Sequence, residues 1–126
     1  MSAIDDELAR VRQSIRRVTP EQAHAAQSAG ALVVDIRDSA RRRECGRVPG
    51  ALEVELTALE WRLDASGAWA ATEAADPGRA VLIMCNEGYA SSLATDRLQR
   101  LGRRDVADVI DGFAGWLAAG LPVHRD

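Results

Sequence analysis

The sequence predicts an α/β domain: a central, mostly parallel β-sheet flanked by helices on both sides, with an extra helix at the N-terminus. Three observations carry this expectation. The runs at 31–35, 80–84 and 106–110 are apolar with little alternation, the pattern of strands buried on both faces. Between them stand segments whose apolar residues recur every three or four positions, as helices do in crossover-connected sheets. Glycine and proline punctuate the junctions at Gly30, Pro49-Gly50, Gly102 and Gly120-Leu121-Pro122.

The elements follow in order. Ile4, Leu8, Val11, Ile15 and Val18 form a stripe that predicts an amphipathic helix over residues 1–18, ahead of a domain over 19–126. Thr19-Pro20-Glu21-Gln22 restarts a helix, with Thr19 as cap, Pro20 at the first helical position and Gln22 closing a capping box. Gly30 ends that helix, and Leu32-Val33-Val34-Asp35 makes a strand closing in a carboxylate. Pro49-Gly50 fits a type II turn. Leu56, Leu59 and Leu63 read as a short helix, with Trp61 expected in the core. Residues 64–79 read as an exposed loop. Val81-Leu82-Ile83-Met84 is the next strand. It leads through Cys85 to a helix starting near Ser91, with Leu93, Ala94, Leu98 and Leu101 on one face. A strand at 106–110 and a helix carrying Phe113, Trp116 and Leu117 complete the chain.

Composition narrows the function. The 126 residues suit one domain, and 47% hydrophobic content supports a packed core. A formal net charge of -3 disfavours nucleic acid or an anionic membrane as main partner, and Arg41-Arg42-Arg43 is too short a run to reverse this. No apolar run is long enough to span a bilayer, and the start of the chain lacks the pattern of a leader; a cytoplasmic protein is expected. Cys45 and Cys85 are the two cysteines, neither at metal-ligand spacing from His24 or His124, so neither metal nor cofactor is expected.

Chemistry concentrates at Cys85. In parallel sheets reactive groups gather at the carboxyl ends of strands, and Cys85 follows such a strand. The loop Cys85-Asn86-Glu87-Gly88-Tyr89-Ala90 is short and polar, and Gly88 permits a positive φ. Inward-turned N–H groups and the following helix start would favour a thiolate. On these residues alone, a cysteine after an apolar strand also reads as a small buried hydrophobe.

Four ordered signatures resemble the rhodanese family from about Pro20 to Val123. They are Leu32-Val33-Val34-Asp35-Ile36-Arg37, Gly46-Arg47-Val48-Pro49-Gly50-Ala51, the Cys85 loop, and Val109-Ile110-Asp111-Gly112-Phe113-Ala114-Gly115-Trp116 with Gly120-Leu121-Pro122-Val123. The resemblance implies a sulfurtransferase or persulfide carrier with Cys85 as nucleophile and the loop Asn86, Glu87, Gly88, Tyr89, Ala90 and Ser91 as substrate site. Asp35, Arg37 and Arg47 are candidate supporting residues. Asp35 and Arg37 read mainly as a structural pair, and Arg47 as a source of positive charge in place of the family's His. The implied partners are a sulfur donor (a small persulfide, thiosulfate or mercaptopyruvate) and a thiol or protein acceptor, with a second copy of the chain as a further candidate.

Departures from the family pattern shape the expectation. Ala90 stands where many thiosulfate-using relatives carry Arg, and Glu87 adds negative charge, so poor use of thiosulfate is expected. The segment between Asp35 and Gly46 is one residue longer than the commonest pattern, and Arg41 falls near the family's usual Glu. A non-catalytic protein-binding module is the competing reading. Phosphatase or arsenate-reductase chemistry needs one more loop residue and a terminal Arg, both absent. Cys45 is a candidate resolving thiol, but nothing in the sequence brings it to Cys85.

Overall fold

A computed structural model describes residues 2–126. Five strands, β1 (Arg16–Val18), β2 (Leu32–Asp35), β3 (Leu52–Glu53), β4 (Val81–Met84) and β5 (Val106–Val109), form one sheet in the order β1-β5-β4-β2-β3, with every pairing parallel. Six α-helices surround it: α1 (Ala3–Arg12), α2 (Pro20–Ser28), α3 (Ser39–Cys45), α4 (Leu59–Leu63), α5 (Ala90–Arg100) and α6 (Gly112–Ala118). Among the described residues no helix is long and apolar enough to cross a membrane.

The continuous hydrophobicity of β2 and β4 has the expected cause: every residue of both is buried. Successive residues point to opposite faces, so Val34, Val81 and Ile83 pack in one core cluster with Leu59, Leu63 and Leu98. Val33, Leu82 and Met84 pack in the other with Ala107, Val109, Phe113 and Trp116. Cys85 continues the first face and Cys45 packs against the second; both are free thiols.

Three expectations need correction. The N-terminal helix ends at Arg12 rather than near residue 18, and Arg16–Val18 pairs in register with residues 107–109 of β5. A three-residue edge strand is too short to show its own alternation, and its partner lies far along the chain. The segment is therefore part of the sheet, and α1 packs on α5 with Val11 fully buried. Trp61 is 60% exposed: Leu59 and Leu63, four apart, take the inner face of α4, which leaves the intervening residue outside. Leu101 caps α5 and is exposed, because the chain reverses at Gly102 (φ +101).

The stretch 64–79 is only partly the exposed loop expected. A 3-10 turn, Thr72–Ala74, tucks Ala71 and Ala74 into the core. Buried Arg103 holds this stretch down by donating to the carbonyls of Ala74 (2.8 Å), Asp76 (3.0 Å) and Arg79 (3.0 Å) and, at 3.5 Å, Leu63. Burial lowers the pKa of that guanidinium, and the carbonyl oxygens compensate the lost water.

Candidate active site

The sheet brings the ends of β2, β4 and β5 together, and Cys85 sits on the loop between β4 and α5. Its sulfur is a hydrogen-bond acceptor. The N–H of Gly88 donates to Sγ at 3.1 Å and that of Ser91 at 3.4 Å; among the described residues no other N–H of the loop does so. Gly88 makes the first contact possible at φ +91, where an L side chain is strained. A Cβ there would also stand 2.8 Å from the backbone nitrogen of Asp111.

The β5–α6 turn lies directly beneath this loop. Phe113 N–H donates to the carbonyl of Cys85 (2.8 Å) and Ala114 N–H to that of Asn86 (3.0 Å). A side chain at Gly112 would run into the Cys85 carbonyl oxygen, so the Asp111-Gly112 pair reflects a packing requirement. The first turn of α6 thus fixes the carbonyls, and the opposite edge of the loop turns its N–H groups to the sulfur.

A polar network unrecognised in the sequence reading supports the sulfur from the other side. Ser91 Oγ lies 3.3 Å from Sγ and 3.3 Å from Oδ2 of Asp108, a fully buried carboxylate in the middle of β5. With a thiol, sulfur donates to Ser91 Oγ and the hydroxyl donates to Asp108. With a thiolate, the hydroxyl turns its proton to sulfur, and Asp108 keeps Ser92 Oγ (2.7 Å) and Arg17 Nε (3.0 Å). Arg17 also reaches the carbonyl of Gly88 (3.3 Å), and Arg12 donates to that carbonyl at 2.7 Å while its guanidinium lies over the Tyr89 ring. One signal was available: a carboxylate inside an apolar strand demands a buried partner. The partner lies 91 positions away, which no local pattern reveals.

The remaining candidates fall into two groups. Asp35 and Arg37 are both buried and pair at 2.7 Å; Arg37 also donates to the carbonyl of Gly46 (3.0 Å) and stacks on Phe113, 3.8 Å from the ring centre. Asn86, Glu87, Tyr89 and Ala90 line a cavity of about 330 Å³ with Cys85, Ile36, Arg37, Asp38 and Arg41. Arg47 does not line it. It is bound to Glu53 (2.6 Å) and Asp126 (3.2 Å), which raise its pKa; Arg41 lines the mouth and forms no ion pair among the described residues. Cys45 sits against the opposite core cluster from Cys85.

Comparison with known proteins matches the chain to a family. The family model for the rhodanese-like domain matches residues 19–119. The chain is 30% identical over 111 residues to the thiosulfate sulfurtransferase GlpE of Haemophilus influenzae, covering 87% of this chain and 95% of that protein. A protein of unknown function from Rhodopseudomonas palustris, described as a possible tyrosine phosphatase, superposes with a TM-score of 0.88 at 27% identity, over 98% of this chain and 96% of that one. The polysulfide-sulfur transferase homodimer of Wolinella succinogenes shares the fold, with a TM-score of 0.75 at 21% identity over 96% and 86% of the two chains.

Proposed function

This chain belongs to the rhodanese-like domain family, and from that premise we propose that it moves sulfane sulfur through a covalent persulfide on Cys85. The observation that carries this reading is the sulfur itself, which accepts two backbone N–H groups at the edge of an open cavity. Such donors stabilise an anionic sulfur and cost no reorganisation during reaction.

The chemistry is two displacements at sulfur. Cys85 thiolate attacks the outer sulfur of a donor persulfide R–S–SH; the Cys85 S–S bond forms, the donor S–S bond breaks, and the electron pair leaves with R–S⁻. An acceptor thiolate then attacks the outer sulfur of Cys85–S–SH, which carries the proton away with it, and Cys85 leaves as thiolate. No external oxidant or reductant enters either step. With thiosulfate the leaving group is sulfite. Thiosulfate is disfavoured here because the cavity sets the carboxylates of Asp38 and Glu87 against Arg37 and Arg41, and Ala90 adds no further cation for a dianion.

A phosphatase role, which the description of the Rhodopseudomonas neighbour raises, has less support. The loop from Cys85 ends at Ala90 rather than in an arginine able to grip a tetrahedral dianion. A binding module remains the rival, and one experiment separates it. Reduced protein is incubated separately with thiosulfate, 3-mercaptopyruvate and a small persulfide, and its intact mass is measured with Cys85→Ser as control. We expect one added sulfur from the persulfide, absent in Cys85→Ser and discharged by cyanide as thiocyanate. Failure of every donor to leave an adduct would favour the binding module.

A further inference from the structure

The charges around Cys85 name a class of donor. Four charged residues line its cavity: Arg37, Asp38, Arg41 and Glu87. Arg37 has its charge matched by Asp35 and is held over Phe113, with a single buried nitrogen, Nη1, left without a partner. Asp38 caps α3, its carboxylate accepting the N–H of Arg41 at 2.8 Å. Arg41 and Glu87 differ. Both are exposed, and neither forms an ion pair, with each other or with any other described residue; Glu87 meets only the side-chain amide of Asn86 at 3.3 Å. Among the described residues the cavity therefore presents Arg41 as a cation without an ion pair and Glu87 as a carboxylate that neither an ion pair nor a cap holds, with the capping carboxylate of Asp38 beside them.

We propose that the sulfur donor is zwitterionic: an α-amino acid whose side chain ends in –S–SH, its carboxylate on Arg41 and its ammonium on Glu87. This rests on the persulfide-carrier reading above and specifies its substrate. Thiosulfate offers two negative charges and no positive one, so it uses Arg41 and is opposed by Glu87 and Asp38. An uncharged alkyl persulfide uses neither group. An amino-acid persulfide uses both, and its methylene lies against the walls formed by Ile36, Tyr89 and Ala90. Arg41 can take the carboxylate with two parallel N–H bonds, a geometry an ammonium side chain lacks. The volume, about 330 Å³, is at the small end for ligand clefts and suits a single amino acid. The reaction is unchanged: the Cys85–sulfur bond forms, the donor S–S bond breaks, and the amino acid departs as its thiolate.

The test compares three persulfides of similar length: cysteine persulfide (zwitterion), 2-mercaptoethylamine persulfide (cation) and 3-mercaptopropionate persulfide (anion). Loading of Cys85 is followed by intact mass in single turnovers, with each rate normalised to the donor's reaction with a small free thiol. The zwitterion is expected to load fastest. Exposed pairs are weak, so each contact contributes about two- to fivefold in rate. Arg41→Gln should slow the zwitterion and the anion and speed the cation; Glu87→Gln should slow the zwitterion and the cation and speed the anion. Both side chains are exposed, and a urea melt checks that the variants fold. Equal normalised rates for all three donors, or variants that shift all three alike, overturn the zwitterion and leave the carrier standing. If no persulfide loads Cys85, the carrier reading itself fails.

Discussion

Replacing Gly88 by alanine should uncouple the sulfur from its cradle while leaving the protein folded. The residue sits at φ +91, and an added methyl would stand 2.8 Å from the nitrogen of Asp111 and 3.3 Å from its Cα. Both neighbours are backbone, and Asp111 is itself held at φ +62 at the start of α6, so it cannot retreat cheaply. The positive φ costs about 1–2 kcal/mol and the crowding about 1–3 kcal/mol. The loop escapes most of this by lifting, which takes the Gly88 N–H away from Sγ. A hydrogen bond to a charged group is worth about 1.5–3 kcal/mol, and losing it leaves the anionic sulfur less stabilised by about that amount. A less stabilised sulfur is also the better nucleophile, with a Brønsted coefficient of ~0.45, and this returns almost half of the loss on a logarithmic scale. The net expectation is alkylation by iodoacetamide slowed about three- to tenfold. A mass-resolved time course reads this directly, with Cys45 as internal reference and a urea melt as the control for folding. A folded Gly88→Ala protein whose Cys85 alkylates at the wild-type rate would refute the role given to that N–H.

Other perturbations probe the supports. Arg17→Met leaves the Asp108 carboxylate buried without its cation; such losses reach about 3–5 kcal/mol, and partial exposure of Arg17 brings the expectation to about 2–3 kcal/mol by urea melt. Adding Asp108→Asn should recover most of that, and strictly additive losses would show that the pair is not coupled. Removing residues 2–17 takes most of the edge strand with Arg12 and Arg17, so a large fall in melting temperature is expected; a truncated chain that melts with the full one would contradict the β1–β5 pairing. Arg103→Met should cost about 3 kcal/mol, because several carbonyls lose their donor. Limited proteolysis should then cut between residues 64 and 79, and resistance equal to wild type would argue against that anchor.

The strands and the placing of Cys85 at a strand's end were legible because their signals are local. Four-residue runs buried on both faces have no polar side to show, and the residue after β4 must emerge at the sheet's carboxyl edge. The glycine of the loop could likewise be read, because a tight turn there calls for a positive φ. Arg12, Arg17, Asp108 and Arg41 could not. Each acts through the tertiary arrangement: Arg12 ends α1, and Arg17 lies on a segment whose apolar spacing imitated a continued helix. Arg47 was a plausible cation by position, but neighbouring carboxylates claim it. Trp61 misled because a single helical turn can hide two leucines and still leave an indole outside.

The insertion of β5 between β1 and β4 sets an order of events during synthesis. The segment bearing Cys85 leaves the ribosome before β5 does, and the early strand β1 must wait for β5 before it has anything to pair with. Contacts of such long sequence separation form late and slowly. Until they form, Ser91 has no Asp108 behind it, the carbonyl of Cys85 has no Phe113 N–H, and Arg17 has no carboxylate. A nascent chain therefore lacks the long-range contacts that brace the loop around this sulfur. Those braces are completed only when the sheet closes.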